Sequence, residues 1–234
     1  NLLGKMGAPN ALIAFIADPA GRLTGKPGPV QVAAGLPGNP IFCIENGQHI
    51  LIQGFQLDGQ NYALTDGIFI SNATHSLFLN NQIRFCQNGI TAQTSAYLQV
   101  EGNLIEECQA SGMFANNSYD LFLIGNEIRR CYEGVSLMMS PSNIVVRSNL
   151  LDANRNAGIA FMMHSIGRIE GNIIRNGFGG MGMGINIQSL ISSAEIRNNQ
   201  IYNNQGDGIA LNGNTTPSFI YQNTLHNNKR GIFL

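Results

Sequence analysis

The chain has 234 residues, of which 44% are hydrophobic and 12% charged, with a formal net charge of −1. That leaves enough apolar surface for a continuous core and too little charge for a disordered tail; with lysine only at Lys5, Lys26 and Lys229, there is no basic footprint for nucleic acid. No apolar run reaches the ~18 residues of a membrane span, and Asn1-Leu2-Leu3-Gly4-Lys5 is not a signal peptide, so any export signal has been removed or was never there.

Residues 1 to 40 hold six of the eight prolines, in turns such as Pro27-Gly28-Pro29 and Pro37-Gly38-Asn39-Pro40, around one strand-like run, Leu12 to Ile16. They read as irregular first coils with long turns. Regularity begins at Ile41-Phe42-Cys43-Ile44, continues through His49 to Phe55 and persists to the end, so residues 41 to 234 are expected to form one continuous domain.

From there two markers keep one beat. Asn81, Asn103, Asn126, Asn149, Asn172, Asn199 and Asn223 each open an Asn-x-aliphatic triplet, at steps of 22 to 27 residues. Gly67, Gly89, Gly112, Gly134, Gly158, Gly184, Gly208 and Gly231 accompany them, nearly all followed by apolar-x-apolar. A unit this short buries no core alone and must stack on its neighbours. Read from Asn103, it holds Leu104-Ile105-Glu106, then Gly112-Met113-Phe114-Ala115, a polar turn, and Leu121-Phe122-Leu123-Ile124: three short strand patterns separated by turns. No segment of ten or more residues has helical periodicity free of Gly and Asn, which excludes helical repeats. The expected fold is all-β: a right-handed single-stranded parallel β-helix of about nine to ten coils, rising ~4.8 Å per coil. The last residues, Gly231 to Leu234, fall on a core strand, so the expectation is a longer natural chain, or end-to-end contact or further domains covering the open edges.

In such a stack, residues at one repeat position lie above each other. The marker asparagines are expected to form an amide ladder. Five places later, Cys86, Cys108, Cys131, Asn154, Gly177, Asn204 and Asn228 make a small-polar file, with the thiols, like Cys43, expected to be buried and free. Three places after the marker, Arg84, Glu106, Arg129, Asp152 and Arg175 alternate in sign, and a second file, Arg147, Glu170 and Arg197, does the same; both read as outward ion-pair ladders. Phe69, Thr91, Phe114, Ser136, Ala160, Asn186 and Ala210 read as an outward face without charge.

The segments Gly7-Ala8-Pro9-Asn10-Ala11-Leu12-Ile13-Ala14-Phe15 and Ile44-Glu45-Asn46-Gly47-Gln48-His49-Ile50-Leu51-Ile52-Gln53-Gly54-Phe55 resemble the opening coils of right-handed β-helix proteins of the pectate-lyase-like superfamily, and the later Asn-x-Ile and Gly-Ile-x-Leu units are similar to its generic repeat. That group includes polysaccharide lyases, glycoside hydrolases, uronate epimerases, phage tailspikes, adhesins and a periplasmic copper-related branch. The resemblance implies a secreted, cell-surface or periplasmic protein that acts on or binds an acidic polysaccharide, by β-elimination if it is an enzyme. The alternatives it leaves open are a non-catalytic glycan-binding or structural solenoid and a periplasmic copper-handling module.

A hydrolase of the polygalacturonase kind would need clustered aspartates and a Gly-His-Gly, and the epimerase signature is Asp-Pro-His-Asp; neither pattern is present. Glu106 and Asp152 lie two coils apart, ~9.6 Å by strand spacing, at the edge of the inverting-glycosidase range, yet Arg129 stands between them and pairing is expected. For a lyase, which removes a proton beside a neutralised carboxylate, the residues available are His75, Tyr97, Tyr119, His164, Arg129 and Arg130, of which Tyr119, His164, Arg129 and Arg130 are the catalytic candidates. Tyr119 and His164 are expected in the turn after the glycine strand, where each has the alternative of a turn cap or a solvated side chain. The candidate substrate-binding set is Asp66, Asn72, His75, Gln93, Asn116, Asn117, Tyr119 and His164. Ca²⁺ would call for several carboxylates in adjacent coils, and no such cluster stands out. Met138-Met139 and Met162-Met163-His164 occupy equivalent positions in successive coils; Met162, Met163 and His164 are the candidates for holding Cu(I), against apolar packing as the alternative.

Overall fold

The computed structural model describes residues 2–22, 25–139, 141–188, 192–213 and 217–234. Within them the chain forms 27 strands and no helix. The strands fall into three sheets of nine, each strand pairing in parallel with those one winding before and after it, giving the right-handed β-helix at nine strands per side. One winding shows the plan. Ala96–Glu101 lies in the first sheet, Leu104–Glu106 in the second and Ser111–Asn116 in the third. The early residues supply two strands to the first winding, Ile13–Ile16 and Gln31–Ala33.

Side chains alternate in and out, and the inward ones pile into files. Ile68, Ile90, Met113, Val135, Ile159, Ile185 and Ile209 are in register along the third sheet, and each is fully buried. On the second sheet the file is Leu57, Ile83, Ile105, Ile128, Leu151, Ile174 and Ile201, all at most 1% exposed. Each such aliphatic side chain contributes roughly 1.5–3 kcal/mol on burial. The β-branched character of these files suits a pleated, fully covered surface.

Three corners join the sheets. At the first, between the first and second sheets, the residue before each marker asparagine is left-handed, which explains why Asn80, Gly102, Gly125 and Asn198 occupy it. The markers themselves form the ladder. Asn103 Nδ2 donates to Asn126 Oδ1 at 3.0 Å and to the Phe78 carbonyl at 2.8 Å, while its own Oδ1 accepts from the backbone N–H and Nδ2 of Asn81. The pattern repeats from Asn81 to Asn223.

The second corner explains the glycine marker. A Cβ on Gly67 would sit 2.5 Å from the Gly89 carbonyl oxygen and 2.5 Å from Ile83 Cγ2, so a larger residue displaces the winding above. Beside it run Cys86, Cys108 and Cys131, buried and free, with Asn154 continuing the file by accepting the Cys131 N–H at 3.0 Å. Burial pushes the Cys86 thiol up to about 12, so it packs as a small hydrophobe.

On the outside of the second sheet the sign alternation begins one winding earlier than expected, at Asp58. Arg84 meets Asp58 at 3.0 Å, Arg129 meets Glu106 at 2.9 Å and Arg175 meets Asp152 at 3.0 Å. Arg129 turns its second contact to Glu127 at 2.8 Å, and Asp152 is held by Arg175 in its place. The outward file of the third sheet departs from expectation. Thr91, Ser136, Ala160, Asn186 and Ala210 are at most 2% exposed. Ala160 and Ala210 belong to a small apolar cluster with Ala157 and Met183, against which Met162 and Phe233 pack.

Candidate functional site

At the third corner, between the third and first sheets, the chain turns through two left-handed positions per winding. The first carries Asn46, Asn72, Thr94 and Asn117. The second carries His49, His75, Tyr97, Asp120 and Asn143, at φ between 51° and 54°. Asn, Asp and His are the residues enriched in this conformation, whereas Tyr97 takes it against the preference of a bulky ring. These rings stack. His49 and His75 have centroids 4.9 Å apart, His75 and Tyr97 are 4.6 Å apart at 17°, and Tyr119 meets Tyr97 edge-on at 5.9 Å. Tyr97 and Tyr119 are each 47% exposed. Alongside lies an open cleft of about 380 Å³, walled by His49, His75, Tyr97, Leu77, Gln99 and Phe122. The result is a strip of ring faces, edged by imidazole nitrogens and phenol hydroxyls, running parallel to the stack axis.

Most of the expected binding residues gather here. Asn72 and His75 share one winding, Gln93 and Asn116 are in register in the next two, and Asn117 and Tyr119 follow directly. The Asn116 Oδ1 is buried without a hydrogen-bond partner. Asp66 does not belong to this group. It precedes the strand Ile68–Ser71, whereas the others follow that strand's equivalents, so a full strand width separates them. Burial raises the Asp66 carboxyl above its ordinary range, against the N–H and Nδ2 of Asn88, both 3.1 Å from Oδ1. It lines a separate cleft of about 590 Å³ with Cys43, Glu45 and Phe69.

The candidate catalytic residues lie apart. Tyr119 opens the strand Tyr119–Ile124 rather than sitting within the turn, and His164 is exposed two windings further on, at φ 69°. Arg129 faces out from the second sheet, and Arg130 stands at the second corner, held by Glu106 at 2.5 Å and Glu107 at 2.9 Å. Sequence reasoning missed His49 and Phe122. The signal for His49 was available: His49, His75 and Tyr97 follow one another at repeat spacing, 26 and 22 residues apart.

Residues 43–234 match the family described as periplasmic copper-binding protein (NosD). The chain belongs to that family. No sequence among curated proteins matches it. Among solved structures it is similar to pectate lyase Pel9A (12% identity, TM-score 0.59, 98% of this chain and 64% of that one). It is likewise similar to the periplasmic alginate epimerase AlgG (14%, 0.56, 98% and 58%). A third is PfbA, a surface adhesin of Streptococcus pneumoniae (12%, 0.51, 80% and 59%). In each case the chain spans less than two thirds of the other protein, and at these identities the likeness is one of fold.

In this NosD-family chain the methionines occupy a distinctive place. Met139 and Met163 take the first left-handed position of the third corner, at φ 57° and 51°, where earlier windings carry Asn or Thr. They are 50% and 49% exposed, with His164 next in sequence, also left-handed and exposed. Neither core packing nor backbone preference accounts for thioethers there. Met138 and Met162 lie one position earlier on the outward edge of the third sheet, in register with Asn116 and Gln188 respectively. Among the described residues, no group of three or more His, Cys, Asp or Glu is placed to hold a metal ion. No helix among them is long and apolar enough to cross a membrane.

Proposed function

We propose that this chain is an extracytoplasmic glycan-binding β-helix whose saccharide seat is the aromatic strip of the third corner. The observation that carries the reading is the stack of His49, His75 and Tyr97 on left-handed backbone, continued edge-on by Tyr119. Rings fixed by the turn in successive windings offer apolar faces for sugar C–H groups, and their N–H and O–H edges suit hydroxyls. The names of the similar structures, a pectate lyase and an alginate epimerase, support a polysaccharide, and the family description supports a periplasmic setting. Binding is favoured over β-elimination by the separation of Tyr119, His164 and the two arginines, whose charges are taken up by carboxylates.

Calorimetric titration with oligosaccharides tests this. Tyr97→Ala is expected to weaken binding about tenfold, the equivalent of ~1.4 kcal/mol from a lost stacking surface. Unchanged affinity in that variant would sink the reading. Absorbance from a new double bond on incubation with uronic-acid polysaccharides would convert it to a lyase.

A second reading is favoured by Met139, Met163 and His164. Soft thioethers beside an imidazole form a donor set that fits copper(I), and these three side chains, with Met162, would hold it. Bound there, copper would be cargo or a structural ion. Competition for Cu(I) against a chromophoric chelator should weaken in Met163→Leu, and equal affinity in variant and parent ends the idea.

A further inference from the structure

The arginines of the regular windings follow a rule: each stands one winding from an acid. Arg84 takes Asp58, Arg129 takes Glu106, Arg168 takes Glu195, Arg175 takes Asp152, Arg197 takes Glu170 and Arg230 takes Asp207, all at 2.7–3.0 Å. Arg147 also stands one winding from an acid, its register neighbour Glu170, which Arg197 holds. Arg155 breaks the rule outright. It is exposed at the second corner, and among the described residues no carboxylate forms an ion pair with it.

What flanks Arg155 is aromatic. The Arg155 N–H donates to the Cys131 carbonyl at 3.0 Å and the Asn156 N–H to the Tyr132 carbonyl at 2.7 Å, which sets Arg155 one winding above Tyr132. The Phe178 N–H donates to the Asn154 carbonyl at 3.2 Å, which sets Phe178 one winding above Arg155. Tyr132 is 44% and Phe178 39% exposed. Arg155 thus stands between two open aromatic residues in the file, their backbones ~4.8 Å below and above its own by strand spacing. Below them a cleft of about 480 Å³ is walled by Asn61, Phe85, Glu107, Gln109, Arg130 and Tyr132, with Arg155 at its rim. Glu107 is the acid in that wall, and Arg130 holds it at 2.9 Å. The Gln109 amide nitrogen is fixed on the Asn61 carbonyl at 3.2 Å, which leaves its oxygen to accept from a ligand.

We propose that Tyr132, Arg155 and Phe178 form a second saccharide site, on the far side of the third sheet from the aromatic strip, that selects a sugar bearing an anionic group. The guanidinium takes a carboxylate or sulfate through paired N–H donors. The rings bracket the pyranose face, and Gln109 accepts a hydroxyl proton. This inference rests on the reading of the protein as a glycan binder, and its ligand chemistry is shared by uronic acids and sulfated sugars.

The experiment titrates the intact chain with oligomers of equal length from three sources: a neutral glucan, a polyuronate and a sulfated glycosaminoglycan. Acidic oligomers of one or both kinds are expected to bind at least tenfold tighter than the neutral ones, with an excess that fades as salt rises. Arg155→Gln should abolish that excess and its salt dependence while leaving the thermal melt and neutral-glucan affinity unchanged. Tyr97→Ala should lower affinity for the neutral glucan. Preference for the polyuronate or for the sulfated oligomer identifies the source. The site is overturned if Arg155→Gln binds acidic oligomers as the parent does, or if acidic and neutral oligomers bind equally. Loss of binding in Tyr97→Ala with no effect in Arg155→Gln would reject this site and keep the aromatic strip, whereas no binding of any oligomer would reject both.

Discussion

Asn126 illustrates how much one side chain can hold. Its N–H and Nδ2 donate to Asn149 Oδ1 at 2.8 and 3.0 Å, Nδ2 also donates to the Val100 carbonyl at 2.9 Å, and Oδ1 accepts two bonds from Asn103. Asn126→Leu keeps the branched side-chain skeleton and strands the Asn103 donors and the Val100 carbonyl inside the coil. At about 1–3 kcal/mol for each buried group left unpaired, the expected loss is roughly 3–5 kcal/mol. For a chain of this size that is a fall of about 10 °C in a thermal melt. No change would refute the ladder's role. Asp66 carries the opposite kind of test. Its folded-state pKa is raised by burial, so its contribution is fully present below the unfolded carboxylate value and is lost as pH rises through the folded one. Asp66→Asn still accepts from Asn88 and does not ionise. Its stability relative to the parent should therefore grow between acidic and neutral pH, as read from urea midpoints across that range; a constant difference would show that burial does not govern this group.

The strands and their files were largely legible because each position's role recurs. Three strand patterns per unit, the amide ladder and the sign alternation could all be read from one winding and checked against the next. What recurrence does not encode is the neighbour that leans over a position. Thr91, Ser136, Ala160 and Asn186 read as an open outward face, yet they are buried, Ala160 in a cluster with Met183 against which Met162 packs. The ladder on the second sheet yields its own prediction. Glu106 contacts both Arg129 and Arg130, and Glu106→Arg would stack three like charges with Arg84 and Arg129. The expected loss is about 1–2 kcal/mol in urea at low ionic strength, shrinking as salt is added. A loss that ignores salt would point to packing instead.

Across the whole molecule one buried cluster runs from Ile44 to Ile209, while outer windings expose residues such as Ile16 at 58% and Phe219 at 65%. Amide exchange should accordingly be slowest in central strands such as Ser111–Asn116 and Glu133–Met138 and fastest toward residues 2–22 and 217–234. Uniform protection would contradict that gradient. The candidate site was harder to see than the fold, since repeat position fixes a residue's column but nearness in sequence does not show at which end of a short strand it lies. Asp66 and His75 are nine residues apart in sequence and stand at different corners for that reason, while His49 and Tyr97 are 48 apart and stand together. From Asn81 to Asn199 each side-chain amide hands one proton to the following asparagine, so any winding can meet any other through the same join. Splicing out residues 104–126 would seat Asn103 against Asn149 as Asn126 is seated now. Genes for such a protein can be lengthened or shortened by whole modules, and the reach of its binding surfaces would change only in discrete steps of ~4.8 Å.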